Sequence, residues 1–433
     1  MRTSISKIVL ALAIGVLPPL FASLAAAPAA DIVELRVDGR SNATPWIASD
    51  GDFVAVVWGA TADARTDVYG ATSRDGGRTF SVPVRVNGHV GEARLGGELP
   101  PRVALVARAG LDPEVVVLWT AREAATTLKI ARSSDGGRSF APATTLSSAG
   151  AAGDRGWPAL TVDRTGTAHA IWLDHRGMAA NRAGATAHAE HMNANAHDGA
   201  AMAQLSGLFY AATGARPAAE RQLTPGVCYC CKTALAVAPD GVIYAAWRHV
   251  YPGNLRDIAM SVSRDSGRSF SAPQRVSEDK WELNGCPDDG PAMAIDAAGT
   301  IHLVWPTVLS NPEPQGALFY TTTRDGRSFT PRVRVPTLGS PKPSHPQVVV
   351  DARGRVTVAW DELRDGSRVA VARSLTSREG QPPTFSQPHV VDANASSMYP
   401  VLSATSNGLV AAWTSGAPGA SIIRVSRLAH SVH

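Results

Sequence analysis

The chain has 433 residues, with 41 Lys and Arg against 37 Asp and Glu and a formal net charge of +4. The basic residues are scattered along the sequence and form no dense patch, which argues against a nucleic-acid partner. The 4 cysteines are too few for a disulfide scaffold in a chain of this length. The core must therefore come from packed secondary structure.

The first 30 residues differ from the rest of the chain. Two basic residues precede an apolar run from Ile8 to Leu24, and the small residues 25–30 are typical of a cleavage site. This pattern predicts a secretory signal peptide over 1–30, and Pro18-Pro19 disfavours a retained membrane helix. With an Ala- and Arg-rich composition typical of bacteria, we expect a periplasmic or secreted protein with no membrane span after signal removal.

A unit of about 55 residues repeats along the mature chain, and each copy has short apolar runs separated by turn residues. The second run of each copy ends in tryptophan, so that most of the 10 tryptophans share one repeat position: Trp58, Trp119, Trp172, Trp247, Trp305, Trp360 and Trp413. Four short strands in each copy predict a small antiparallel sheet that must pack against neighbouring copies. The pattern therefore indicates an all-β chain built as a β-propeller.

The two ends of the repeat array complement each other. Residues 32–38 alternate like a strand but belong to no copy, whereas the last copy, from Tyr399 to Leu428, has three strands and no fourth. We expect the N-terminal strand to complete the last sheet and to close the ring, which removes exposed edges. The prediction is a seven-bladed propeller of four-stranded antiparallel blades in a single domain over 31–433.

A second motif follows the third strand of several copies. It reads SRDGGRTF at Ser73–Phe80, and variants occur at Ser133–Phe140, Ser263–Phe270 and Thr323–Phe329. The motif resembles the Asp-box of the sialidase-like (bacterial neuraminidase repeat) propellers. Asp stabilises a tight turn and Gly supplies a positive φ, so the motif is a folding device. Enzymes of that family have six blades, and the resemblance keeps a six-bladed ring as the alternative.

The third copy contains an insertion at 174–204, rich in His, Met, Asn and Ala, that follows Trp172. It lacks an apolar stripe and predicts a loop or a marginal helix. In a propeller, loops from the second to the third strand share one rim with loops from a fourth strand to the next first strand. The insertion and all the cysteines are therefore expected on the same rim, over blades 3 to 5.

The cysteines are Cys228, Cys230, Cys231 and, from the next copy, Cys286. One interpretation is disulfides, with Cys286 bridged to one of the other three. The other is a soft-metal site, because thiolates at short spacing converge on one ion and favour Cu(I), with zinc as the alternative. The sequence leaves both interpretations open.

The insertion adds imidazole and thioether groups, which are copper ligands. The further predicted metal ligands are His175, His188, His191, Met192 and His197. His188, His191 and Met192 would share one face of a helix. We therefore predict that the rim binds copper, in metal handling or resistance, with the insertion as a capture arm. The alternative for the insertion is a surface loop whose histidines bind nothing.

Other residues expected on the same rim are His249, Tyr251, Asp288, Asp289 and His345. The family resemblance implies a second possible function, a sialidase-like glycoside hydrolase or a glycan-binding protein. The arginine that the family carries on its first strand is absent from the corresponding stretch, 42–47. A third possibility is a metal-free scaffold for an exported protein partner. Nothing in the sequence indicates an oligomer, and a monomer is expected.

Overall fold

The computed structural model describes residues 32–147, 152–186, 199–214, 219–310, 313–363, 366–375, 383–392 and 396–428, without the side chains of 182–186. These residues form seven four-stranded antiparallel sheets. The predicted signal peptide, 1–30, lies outside the described residues. Within the described part of the chain, no helix has the length and apolar character needed to cross a membrane.

Each sheet takes its strands from consecutive positions of one repeat. Blade 1 contains β2 (Ser41–Asp50), β3 (Phe53–Ala62), β4 (Arg65–Ser73) and β5 (Val84–Arg85). Blade 2 contains β6 (Arg102–Val106), β7 (Glu114–Ala121), β8 (Thr127–Ser133) and β9 (Thr144–Thr145). Blade 3 contains β10 (Arg155–Val162), β11 (Ala168–Asp174), β12 (Gly207–Thr213) and β13 (Arg221–Pro225). Blade 4 contains β14 (Ala234–Val237), β15 (Ile243–Arg248), β16 (Ile258–Ser263) and β17 (Gln274–Arg275). Blade 5 contains β18 (Ala292–Ile295), β19 (Ile301–Leu309), β20 (Gln315–Thr323) and β21 (Val333–Val335). Blade 6 contains β22 (Ser344–Val350), β23 (Val356–Leu363), β24 (Ser367–Arg373) and β25 (His389–Val390).

Blade 7 joins the two ends of the chain. It contains β26 (Ser397–Thr405), β27 (Gly408–Ser415) and β28 (Ile422–Leu428), and its outer strand is β1 (Ile32–Leu35), which pairs antiparallel with β28 from Ile32 opposite Ser426 to Leu35 opposite Ile423. The first strands of neighbouring blades contact one another around a complete ring. The predicted closure and the count of seven blades are confirmed, and the six-bladed alternative is wrong.

The core lies between neighbouring blades and is built around the repeat tryptophans, all of which are buried. Apolar side chains from adjacent sheets form shared clusters, such as the one that joins blades 4 and 5 around Trp305. In five blades the indole N–H donates to a polar side chain near the end of the sheet: Asn42, Asp174, His249, Asp279 and Glu362. The tryptophan therefore packs the blade and also positions a polar group at the blade end.

The Asp-box turns are closed by side-chain hydrogen bonds. Asp75 Oδ1 accepts the backbone N–H groups of Arg78 and Thr79, both at 2.9 Å, and Ser73 Oγ at 2.7 Å. Thr79 Oγ1 donates to the other carboxylate oxygen at 2.6 Å. Burial opposes these effects, but the hydrogen bonds lower the pKa of Asp75. The turn is stable because every oxygen of the carboxylate has a donor.

Four first strands have a β-bulge beside a proline: β2, β10, β22 and β26. In each, the residue before the proline has a φ of 53° to 56°, and these residues are Thr44, Trp157, His345 and Tyr399. A positive φ costs free energy in a residue with a side chain, more so before proline. Strained positions of this kind concentrate at functional sites, and here they ring the propeller axis.

The insertion in blade 3 is helical at both ends, with α1 at Arg176–Thr186 and α2 at Gly199–Gln204. This agrees with the prediction of a loop or a marginal helix. Between the two helices, residues 187–198 lie outside the described part of the chain.

Candidate functional site

The structure brings all the cysteines together at the rim over blades 4 and 5. Cys230 and Cys286 form a disulfide, while Cys228 and Cys231 are buried thiols. Cys231 donates to the sulfur of Cys228 at 3.2 Å, and Cys228 Sγ lies 4.0 Å from Cys230 Sγ. The sulfurs of Cys228, Cys230 and Cys286 all lie within 4.8 Å of one another. We call these four residues the cysteine cluster.

Two loops and one helix position the cluster. Cys228 lies between β13 and β14, where its N–H donates to Arg248 O at 2.9 Å, and Cys286 lies between β17 and β18. The insertion closes over them, because Ala203 of α2 packs against Cys228 and Cys231. The first residue of α2 is held by a hydrogen bond, because the backbone N–H of Gly199 donates to Asn284 Oδ1 at 2.7 Å. The predicted association of the insertion with the cysteines therefore holds for its described end.

Two buried arginines lie beside the thiols. Arg248 donates to the carbonyl oxygens of Asp289, Arg256 and Pro306, at 3.0, 2.8 and 2.7 Å. Arg256 donates to Leu283 O and to the side-chain oxygen of Asn254, at 3.1 and 3.0 Å. Within the described residues, no carboxylate forms a salt bridge with either guanidinium, although they are only 1% and 0% exposed. Buried cations without an ion pair favour a nearby anion.

The arginines act on the cysteine thiols. Burial opposes ionisation of Cys228, but the hydrogen bond from Cys231 and the charges of Arg256 and Arg248 outweigh it and lower the pKa of Cys228 to about 7. Burial and the neighbouring Cys228 raise the pKa of Cys231. Cys228 is therefore the thiol of the pair that ionises first, and its thiolate lies beside two guanidinium groups.

The predicted histidine and methionine ligands have different outcomes. His188, His191, Met192 and His197 lie outside the described residues. His175 lies against the ring of Trp157, with ring centroids 5.3 Å apart, and its carbonyl accepts the first hydrogen bond of α1. Among the described residues, the one group of closely spaced metal-binding atoms consists of cysteine sulfurs, so His175 does not join it.

His249 and Tyr251 pack as blade-end residues. His249 Nδ1 accepts the indole N–H of Trp247 at 3.3 Å, and its ring stands at 71° to that of Tyr251. The guanidinium of Arg275 covers Tyr251, 3.7 Å from the ring centroid. Burial and the charge of Arg275 lower the pKa of His249 to about 4. An imidazole that stays neutral and hydrogen-bonded inside the blade is positioned for packing.

A second polar cluster lies where the first strands converge on the axis, and we call it the axial cluster: Glu98, Lys232, Asp289, His345, Asp361 and Tyr399. Lys232 Nζ lies 3.5 Å from Glu98 and 4.0 Å from Asp289, and all three residues are buried. Burial and the charge of Glu98 raise the pKa of Asp289 to about 6. Two carboxylates that share one ammonium are an arrangement found at acid–base sites.

His345 forms the other half of the axial cluster. Its Nδ1 lies 2.9 Å from Asp361 Oδ2, its N–H donates to Asp289 at 3.1 Å, and its ring lies 4.5 Å from that of Tyr399. Burial opposes protonation, but Asp361 and Asp289 raise the pKa of His345 to about 9. Burial and the charge of Asp361 raise the pKa of Tyr399, which therefore stays protonated. The neighbouring Asp288 has a φ of 52° and a pKa raised by burial and by Glu98.

The predicted rim residues Asp289 and His345 thus meet at the axis, whereas Glu98 and Lys232 were missed. Lys232 directly precedes the first apolar run of its copy, and Glu98 lies two residues before Pro100-Pro101. His345 and Tyr399 occupy the same place, immediately before the proline of their own copies. Alignment of the copies would have grouped Lys232, His345 and Tyr399, which directly precede the predicted first strands of their copies, whereas Glu98, Asp289 and Asp361 lie at other repeat positions.

No protein-family model and no curated protein matches the sequence. Solved structures do resemble it. The α-L-arabinofuranosidase Arb93A from Fusarium graminearum has 11% identity and a TM-score of 0.50, covering 92% of this chain and 98% of that chain. Polysaccharide lyase Uly1 has 12% identity and a TM-score of 0.50, covering 89% and 90%. The Hadza microbial sialidase Hz136 has 16% identity and a TM-score of 0.48, covering 87% and 77%. Identities this low show the fold alone, which is a β-propeller.

Proposed function

We propose that this protein is an exported β-propeller that binds Cu(I) at the cysteine cluster, in the handling of copper or resistance to it. One observation carries the proposal: all the cysteines of the chain, from two different blades, meet at one rim, and two of them are adjacent buried thiols. Thiolates are soft ligands and select Cu(I) over hard cations.

The charge around the cluster supports the same ligand. A Cu(I) ion held by two thiolates carries a net charge of −1, and Arg248 and Arg256 supply two buried positive charges beside it. An anionic complex is therefore stabilised where a cationic one would be repelled. These two arginines act on the metal through the sulfurs and through the local field, as outer residues of metal sites commonly do.

The oxidation state of the cluster favours copper over zinc. Structural zinc requires four ligands in a tetrahedron. With the Cys230–Cys286 disulfide formed, the described part of the cluster offers two thiols, Cys228 and Cys231. Cu(I) is satisfied by two thiolates, whereas Zn(II) is not. Reduction of the disulfide would release two more sulfurs and extend the site.

The insertion is proposed to be the capture arm. Its helix α2 covers the thiols through Ala203 and is anchored beside the cluster through Gly199. The residues that precede α2 in the sequence include His188, His191, Met192 and His197. Their participation stays a prediction, and their removal would slow or weaken loading without abolishing the thiolate site.

The test is a competition for Cu(I) between the purified protein and bicinchoninate under anaerobic conditions, with the Cys230–Cys286 disulfide intact. We expect one Cu(I) per chain, removed by Cys228→Ser combined with Cys231→Ser. The matched control is Cys230→Ser combined with Cys286→Ser, which removes two cysteines but keeps the thiol pair. Failure of the wild-type protein to compete, or equal binding by both double variants, would contradict the proposal.

A second candidate function is glycan processing at the axial cluster. The observation that favours it is the pairing of His345 and Asp361 beside the Tyr399 ring, which holds His345 in one orientation. The cavity beside Glu98, Lys232, His345 and Tyr399 is about 10 Å³, which is too small for a sugar ring, so a glycan would have to lie across its mouth. A panel of glycosides and acidic polysaccharides, assayed with the wild type and with His345→Gln, tests this function. No turnover of any of them would exclude it.

A further inference from the structure

A separate cavity of about 250 Å³ lies on the cysteine-cluster rim, between the loops that enter blades 5 and 6. Most of its wall is apolar, from Trp281, Leu283, Pro287, Pro306, Val308 and Pro343. The loops that form it belong to the side of the propeller that carries the cysteine cluster, and Cys286 lies on its wall. Neither the axial cluster nor the proposed copper site requires a cavity of this kind.

Among the polar side chains on the wall, Lys342 and Asp289 have partners, and the buried hydroxyl of Thr307 does not. Lys342 Nζ donates to Pro287 O at 3.2 Å, and Asp289 accepts the N–H of His345 at 3.1 Å. The hydroxyl of Thr307 has no hydrogen-bond partner among the described residues, although Thr307 is only 2% exposed. A buried hydroxyl without a partner destabilises the folded state, and such groups are rare in native proteins.

We propose that this cavity binds a small, uncharged, largely aromatic molecule with one hydrogen-bonding group for Thr307. A cavity of about 150 Å³ accommodates benzene, so the volume here has room for a second fused ring. Lys342 is exposed to solvent, and Asp289 already lies beside Lys232 and His345 in the axial cluster, so neither charge on the wall requires a charged ligand. The apolar wall supplies the affinity, and Thr307 sets the orientation.

At one end of the cavity, the backbone at Gly316 packs closely against the loop that contains Pro341 and Pro343. A Cβ added at Gly316 would approach the carbonyl oxygen of Pro341 and the ring of Pro343 too closely for any side chain. β20 and the loop before blade 6 are therefore held in contact, with prolines on both sides of the cavity. A preformed cavity of this kind binds its ligand without a large ordering cost.

The experiment uses two matched probes, indole and naphthalene, with binding followed by ligand-observed NMR on oxidised, metal-free protein. Indole can donate its N–H to Thr307 Oγ and naphthalene cannot. We expect both to bind, Thr307→Val to weaken indole by about 5- to 10-fold, and naphthalene to bind Thr307→Val at least as well as the wild type. Val308→Trp fills the cavity and should abolish both, whereas Val82→Trp, at a position 82% exposed, should change neither.

Absence of indole binding, or equal loss of indole and naphthalene in Thr307→Val, would overturn the assignment. If Val308→Trp does not fold, the comparison of indole and naphthalene binding in Thr307→Val still tests the proposal. Because no copper is present in the assay, the result is independent of the proposed function of the cysteine cluster.

Discussion

The carboxylates of the Asp-box turns and those of the cysteine-cluster rim have opposite environments. In the Asp-boxes the carboxylates are partly exposed and accept several hydrogen bonds, and these bonds lower the pKa of Asp265 and of Asp325 to about 2. On the other rim, burial and neighbouring acids raise the pKa of Asp257 and of Asp289 to about 6. Two buried arginines there have no salt bridge among the described residues.

The difference separates folding devices from functional groups within one repeat. A turn that only has to fold can satisfy each of its polar atoms, and the Asp-box does so in several blades. A site that must receive a ligand keeps charges, thiols and strained backbone that the ligand will complete. The positive φ angles at Thr44, Trp157, His345 and Tyr399 occur around the axis on that second kind of surface. The following predictions test this contrast.

The largest effect is expected at the thiol pair. Cys228→Ser combined with Cys231→Ser should lower the Cu(I) affinity by about 100-fold or more, because a hydroxyl is a poor ligand for a soft ion. The affinity is measured by competition with bicinchoninate. The free energy of unfolding of the same variant is measured in parallel, because two hydroxyls in place of buried thiols can also lower the stability. A large loss of stability with unchanged copper affinity would contradict the assignment of the thiols as ligands.

The two buried arginines should raise the Cu(I) affinity without binding the metal themselves. Arg256→Gln removes one buried charge beside Cys228 and should lower the Cu(I) affinity by about 10-fold. The control is Arg264→Gln, at an exposed Asp-box arginine that donates to Asp325 O. An equal effect of both substitutions would mean that the affinity responds to net charge and not to the local field at the cluster.

An Asp-box substitution should affect stability and leave copper binding alone. Asp135→Ala removes the acceptor for the N–H groups of Arg138 and Ser139, at 2.9 and 3.0 Å, and for two hydroxyls. By analogy with the loss of a helix cap, we expect a loss of about 1–2 kcal/mol in the free energy of unfolding. Denaturant titration measures the loss, and the Cu(I) competition should give the wild-type value. A change in copper affinity would show that the two regions are coupled.

The two regions should also respond to pH with opposite sign. Asp265 has a folded pKa below the usual 3.8, so its contribution is present above that value and is lost as the pH falls toward 2. Asp257 has a folded pKa of about 6, above 3.8, so its contribution is fully present below 3.8 and is lost as the pH rises through 6. Asp257→Asn should reduce the decline between pH 4 and about 6, where Asp289 also contributes. Thermal unfolding from pH 3 to 8 measures both the loss of stability at low pH and the loss between pH 4 and about 6. An unchanged pH profile in Asp257→Asn would contradict the predicted contribution of Asp257.

The fold was largely predictable because its determinants are local and repeated. Tryptophan recurs at the same place in every copy, and an unpaired strand at one end matches a missing strand at the other. The convergence of the cysteines was predictable from the loop order alone. The disulfide pairing was not predictable, because Cys286 could bridge to any of the other three cysteines and only the geometry of the loops selects Cys230.

The axial cluster was harder to predict for a physical reason. Glu98 and Lys232 belong to different blades and meet only because their copies are arranged in a ring. Their sequence neighbours give no motif, and a buried lysine cannot be distinguished from a surface lysine by its type. His249 lies at the blade end directly after β15, on the predicted rim, but its Nδ1 accepts the indole N–H of Trp247, a packing contact that the sequence did not predict.

The central claim is that Cys228 and Cys231 hold Cu(I). The most direct test is X-ray absorption spectroscopy at the copper edge on protein loaded with one Cu(I) per chain. We expect only sulfur atoms as copper ligands in the wild-type protein. This sulfur signal should be lost in Cys228→Ser combined with Cys231→Ser and kept in Cys230→Ser combined with Cys286→Ser. Nitrogen or oxygen ligands in the wild-type protein, or a sulfur signal that survives loss of the thiol pair, would contradict the claim.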